Sequence, residues 1–157
     1  MEKVVHEIFD PHKWDTPYSD LYTDDLELLK PDGTRVNGGK EAWAAVAELF
    51  GAYTSQRTEP YYLVCTDTDY GWEMIGNAYI YGNLPGSPSA GETKVKDGNG
   101  TEWDHAMSGG FRFQYVKGTS GPHDGILLKM VQIATDSGPV LMKMLKRGLV
   151  KPADLGL

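Results

Sequence analysis

The chain has 157 residues, 40% of them hydrophobic, which suits one domain spanning residues 1–157 around a single apolar core. Lys and Arg number 15 against 22 Asp and Glu, a net charge of −7 with no basic stripe, which speaks against nucleic acid as a partner. The one cysteine, Cys65, excludes an internal disulfide and a four-thiolate zinc site. No segment approaches the ~20 apolar residues that span a bilayer. The opening MEKVVHEIFDPHKWD lacks the apolar run of a signal peptide, so a cytoplasmic location is expected and no membrane partner.

Residues 1–25 look helical but are broken by Pro11 and Pro17, which predicts two short helices, the second over Tyr18 to Asp24. A strand from Leu26 to Lys30 enters the turn Pro31-Asp32-Gly33 and a hairpin partner, Thr34 to Val36. Residues 39–53 carry the clearest helix, with Ala42, Trp43, Val46, Leu49, Phe50 and Tyr53 on one apolar stripe. Strands follow over Tyr61 to Thr66 and Trp72 to Tyr81, joined by the polar turn Asp67-Thr68-Asp69. The Gly/Pro/Ser-rich stretch Gly82 to Gly100 reads as a mobile loop. A third strand spans Glu102 to Val116, with Ser108-Gly109-Gly110 marking a bulge or sharp bend, and a loop from Lys117 to Gly125 follows.

The segment DGILLKMVQIATDSGPVLMKMLKRGLV then reads as a turn, a buried strand from Ile126 to Thr135, one acid, and a basic helix. Pro139 suits the first helical position, and Lys143, Lys146 and Arg147 favour the last turn, which Gly148 can stop. Helices first and then long bent strands make an α+β layout, with N-terminal helices covering one face of a curved antiparallel sheet.

Two blocks, LYTDDLELLKPDGTRVNGGKEAW at 21–43 and the closing segment, resemble the SnoaL-like branch of the NTF2-like superfamily. The resemblance implies a cone-shaped α+β barrel enclosing a deep apolar pocket. It also implies a homodimer formed through the convex face of the sheet. Members include polyketide cyclases, dehydratases, isomerases and epoxide hydrolases, and also non-catalytic binding and dimerisation domains. This chain departs from the pattern at Leu29 and Lys30, where members often carry a His or Asp.

The resemblance makes Asp136 a candidate general acid/base, which needs apolar surroundings to raise its pKa; the plain alternative is a cap on the following helix. His105 is a candidate proton shuttle, placed by strand alternation on one face with Trp103 and Met107; its alternative is a structural histidine. Among the phenols, Tyr22 is the preferred substrate-orienting group, with Tyr18 and Tyr79 as further contacts and ordinary packing as the alternative. Trp72, Met74, Trp103, Met107, Phe111, Phe113 and Met130 are expected to line core or pocket. Gln132 is expected to share an inward face with Met130 and Asp136, leaving Val131 and Ile133 outward at a dimer contact beside Lys129. No metal-ligand spacing and no phosphate loop occurs, so neither metal nor cofactor is expected. The function these features imply is acid/base chemistry on a small hydrophobic polyketide or terpenoid: isomerisation, cyclisation or dehydration. A non-catalytic binding domain is the alternative. An epoxide hydrolase would need an Asp–Arg–Asp group that the spacing of Arg35, Arg57, Arg112 and Arg147 does not reveal.

Overall fold

The computed structural model describes residues 5–118 and 121–156, so positions 119 and 120 of the expected loop and 1–4 of the first expected helix lie outside the described residues. The chain runs through β1 (Tyr22–Leu29), β2 (Arg35–Asn37), α1 (Gly39–Phe50), β3 (Ser55–Thr68) and β4 (Gly71–Asn83). It continues through β5 (Val95–Lys96), β6 (Glu102–Trp103), β7 (His105–Lys117), β8 (Ile126–Thr135) and α2 (Gly138–Lys146). Six strands form one curved sheet in the order β2-β1-β8-β7-β4-β3, and β5 and β6 form a separate hairpin. Only β1 and β8 pair in parallel within the six-stranded sheet. The sheet is an α+β cone and not a closed barrel: β2 and β3 remain its edges.

The expected helix over Tyr18 to Asp24 is instead a single turn, Tyr18–Asp20, and the chain is already extended from Tyr22. Tyr22 pairs with Leu128 of β8, a long-range contact that overrides local helix preference. The hairpin turn forms as expected, with Gly33 at φ 84° and its N–H donating to the Lys30 carbonyl at 2.9 Å.

Alternation along β4 and β7 sets the inner face. Their ladder runs unbroken from Gly71↔Val116 to Gly82↔His105, bringing Met74 opposite Phe113 and Ile80 opposite Met107. The expected bulge at Ser108-Gly109-Gly110 is therefore absent. Gly109 is needed for close approach instead, since a Cβ there would sit 2.5 Å from Thr135 Cγ2. The bulges fall elsewhere, at Tyr61 in β3 and at Lys129 in β8.

The Lys129 bulge reverses the parity expected for the last strand. Leu128 opposes Tyr115 and Val131 opposes Phe113, so both face inward although an even spacing does not separate them. Val131 is 2% exposed, and Ile133 faces the same side. Met130 and Gln132 consequently pair with Gln114 and Arg112 on the convex side.

The apolar stripe of α1 packs against this inner face, with Ala42, Trp43, Val46 and Phe50 buried. Phe9 and Trp14 close around Trp43 and Phe50, with ring centroids 5.6–6.5 Å apart, and Trp43 Nε1 donates to the Trp14 carbonyl at 3.1 Å.

The segment expected to be a mobile loop is tied down by Arg147. Its side chain, 1% exposed, donates to both Glu92 oxygens, to Asp104 Oδ2 at 2.9 Å and to the Leu84 carbonyl at 3.2 Å. Hydrogen bonds from Arg147 hold the Glu92 carboxyl down at about 2. A residue expected to balance a helix dipole thus fastens α2 to the chain between β4 and β7. Gly148, at φ 70°, ends the helix with its N–H donating to the Leu145 carbonyl.

Candidate functional site

A cavity of about 340 Å3 lies between α1 and the inner face of the sheet. Val46 and Phe50 form its helix side; Tyr22, Met74, Ala78, Ile80, Phe111, Phe113, Val131 and Ile133 come from the sheet. Phe111 and Phe113 stack at 4.9 Å. Phe9, Thr58, Pro60 and Thr135 complete it, and Tyr61, Tyr62 and Leu63 stand at its β3 end. Among the described residues that line it there is no charged side chain and no histidine.

Tyr22 is the notable polar group. It is 1% exposed, its ring meets Trp43 edge-on at 5.4 Å, and its hydroxyl finds no hydrogen-bond partner among the described residues. Burial pushes its pKa far above the ordinary phenol value, so it is a donor throughout the neutral range. The neighbouring Thr58 differs: its hydroxyl donates to Asp10 Oδ1 at 3.1 Å and is already committed.

A second lobe of about 300 Å3 shares Phe50, Ile80, Ile133 and Thr135 with the first. Lys30, Pro31, Asp32, Leu49, Tyr53, Met107 and Ser137 complete its wall, so it opens beside the first hairpin turn.

The residues singled out in the sequence are dispersed by this architecture. Tyr22, Met74 and Phe113 line the larger lobe and Met107 the smaller. His105 sits at the end of β7 on the inner face but lines neither lobe. It is 3% exposed, packs 5.1 Å from the Tyr53 ring, and has no hydrogen-bond partner among the described residues on either ring nitrogen. Burial, aided by the positive Lys143 and Arg147, pushes its pKa down to about 4, against an opposing pull from Asp104. Trp103 does not share its face, because a break at Asp104 puts Trp103 in the small hairpin, where its Nε1 donates to Asp97 Oδ2 at 3.0 Å.

Asp136 is exposed, and its Oδ1 accepts from Gly138 N at 3.0 Å, an Asx turn leading into α2. No hydrogen bond or ion pair among the described residues joins it to His105. Tyr18 spends its hydroxyl on Asp24 at 3.0 Å outside the cavity, and Trp72 packs half-buried at the core margin. Tyr79 lies on the convex face, exposed and stacked on Tyr61 at 4.6 Å. Met130 and Gln132, assigned to the pocket by alternation, are displaced from it by the Lys129 bulge.

The sequence pattern does not mark Thr58, Pro60 and Thr135 as lining residues, and simple alternation puts Val131 and Ile133 on the outer face, whereas all five line the cavity. Their branched, apolar character was a usable signal, since β-branched residues suit a buried wall better than Gln132 does. Among the described residues no three His, Cys, Asp or Glu side chains converge to hold a metal ion. None of their helices is long and apolar enough to cross a membrane.

A curved open sheet folded over a helix, with an apolar cavity between them, defines the NTF2-like cone fold, and this chain has that fold. No protein-family model and no curated protein sequence matches it. Among solved structures it is similar to Aln2 from a Streptomyces species, at 14% identity and TM-score 0.59, covering 89% of this chain and 88% of that one. It is similar to the hexachlorocyclohexane dehydrochlorinase LinA-type3 from Novosphingobium barchaimii, at 12% identity and TM-score 0.57, covering 86% and 80%. An NTF-2 like protein from Pseudomonas aeruginosa is a further match, at 10% identity and TM-score 0.51, covering 78% and 79%. Such identities show a shared fold, and the structural neighbours include enzymes.

Proposed function

We propose that the protein binds a small apolar molecule bearing a carbonyl in the larger lobe. There Tyr22 orients and polarises it for a cofactor-independent cyclisation, isomerisation or dehydration. The observation that carries this reading is the Tyr22 hydroxyl, a buried donor without a protein partner on the wall of an apolar cavity. A carbonyl oxygen satisfies it, and in a low-dielectric lobe that hydrogen bond strengthens as negative charge grows on the oxygen.

His105 and Asp136 are not part of the proposed chemistry, because neither lines the cavity. With no carboxylate or imidazole among the described residues of its wall, the larger lobe suits steps driven by carbonyl polarisation and by folding a flexible substrate. The same lack favours a second reading, a binding domain without turnover.

Calorimetry with 2-acetonaphthone, a flat aromatic ketone, tests the reading. Binding is expected in the wild type and is expected to weaken about three- to tenfold in Tyr22→Phe. Where turnover exists, that variant should lose about 10²-fold in kcat. Equal affinity in the two proteins contradicts the role given to Tyr22.

A second copy of the chain is the proposed partner for the convex face. Tyr61, Tyr62, Val64, Ile75 and Tyr79 are 42–57% exposed on β3 and β4. Glu73 and Arg112 stand beside them and pair with each other, which leaves an apolar face without unbalanced charge to meet its own copy. Val131 and Ile133, expected at this contact, face the cavity instead. Sedimentation should show a dimer that Ile75→Glu dissociates; a wild-type monomer at micromolar concentration rejects it.

A further inference from the structure

The two lobes meet at Phe50, Ile80, Ile133 and Thr135 but differ in chemistry. Among the described residues no charged side chain lines the larger lobe, whereas the smaller is lined by Lys30 and Asp32 of the hairpin turn. The Lys30 side chain is 27% exposed, and its backbone is fixed in the hairpin turn, its N–H donating to the Thr34 carbonyl at 2.9 Å. Its ion pair with Asp32 spans 3.9 Å, too long for a hydrogen bond, and Asp32 is 60% exposed. Asp32 Oδ1 is occupied by the Thr34 N–H at 2.9 Å and the Thr34 hydroxyl at 2.7 Å. The sheltered ammonium therefore keeps its donors for another acceptor, with the Ser137 residue on the same wall. Loss of water around such a charge strengthens its attraction for an anion.

Resting on the reading of Tyr22 given above, we propose that the ligand is an elongated apolar keto acid. Its body and carbonyl lie in the larger lobe, and its carboxylate lies in the smaller lobe against Lys30. The ligand passes Phe50, Ile80, Ile133 and Thr135, which line both lobes. A molecule without the acid head fills one lobe, and one without an apolar body has nothing to bury there.

Calorimetry on the whole protein tests the head and the body separately, with dodecanoate and 2-acetonaphthone as probes. Dodecanoate should displace 2-acetonaphthone from the wild type. Lys30→Met should weaken dodecanoate about tenfold or more while leaving the ketone unchanged. Equal dodecanoate affinity in the two proteins overturns the proposal, as does dodecanoate that binds without displacing the ketone. If 2-acetonaphthone fails to bind while dodecanoate binds through Lys30, the role of Tyr22 falls and the acid site stands.

Discussion

Replacing Tyr22 by phenylalanine removes one oxygen atom and leaves the ring, including its edge-on contact with Trp43 at 5.4 Å, in place. In the ligand-free protein the hydroxyl belongs to a residue 1% exposed and has no partner among the described residues, so no protein hydrogen bond offsets its desolvation on folding. Such a group costs about 1–3 kcal/mol, and no protein hydrogen bond is lost with it. Tyr22→Phe should therefore stabilise the ligand-free protein by about 1 kcal/mol or more, a rise in Tm of about 2–4 °C for each kcal/mol. Urea titration at 25 °C, with the midpoint and slope fitted together, measures it, and an unchanged slope shows that the unfolded state is unaffected. The same variant should bind 2-acetonaphthone more weakly. Gain of stability with loss of binding is the mark of a group kept for a ligand. A variant destabilised by about 1 kcal/mol or more refutes the reasoning, because the hydroxyl would then be a structural hydrogen-bonding group.

Three further outcomes are expected. The folded protein keeps His105 neutral down to about pH 4, whereas the unfolded chain takes up a proton near its ordinary value of 6.5. Between these values the unfolded state binds more protons, so the contribution is complete above pH 6.5 and is lost as the pH falls toward 4, by about 3 kcal/mol. His105→Leu should flatten stability against pH in that window, and an unchanged slope rules the assignment out. Arg147→Met strands Glu92 and Asp104 without their counter-ion and should cost about 3–5 kcal/mol in chemical denaturation; a loss below 1 kcal/mol shows the cluster to be dispensable. Asp136→Asn keeps an acceptor for Gly138 N and should change stability by less than about 0.5 kcal/mol, against about 1 for Asp136→Ala. Ketone affinity should be unmoved in both, and a tenfold loss in Asp136→Asn would return this residue to the site.

Local physics explains how much of the architecture was legible. The closing strand, Ile126–Thr135, falls where its branched apolar run predicts, and the stripe of α1 is buried at Ala42, Trp43, Val46 and Phe50. Gly33 and Gly148 adopt the positive φ their turns require. What was hidden depends on pairing between distant segments. Tyr22 is extended because it meets Leu128, and the Lys129 bulge reverses which side of β8 lines the cavity. Simple alternation therefore chose Met130 and Gln132 over Val131 and Ile133. Tyr22 was readable as a candidate phenol near the first hairpin, but its lack of a partner among the described residues depends on how distant segments pack around it. His105 was readable as an unusual histidine, yet its position behind Tyr53 places it outside the cavity.

The central claim is that Tyr22 donates a hydrogen bond to a carbonyl held in the larger lobe. The infrared carbonyl stretch of bound 2-acetonaphthone reports that bond directly. The stretch should lie at lower frequency in the wild type than in Tyr22→Phe, where it should approach the value in an apolar solvent. The same frequency in both proteins, with the ketone bound, contradicts the account.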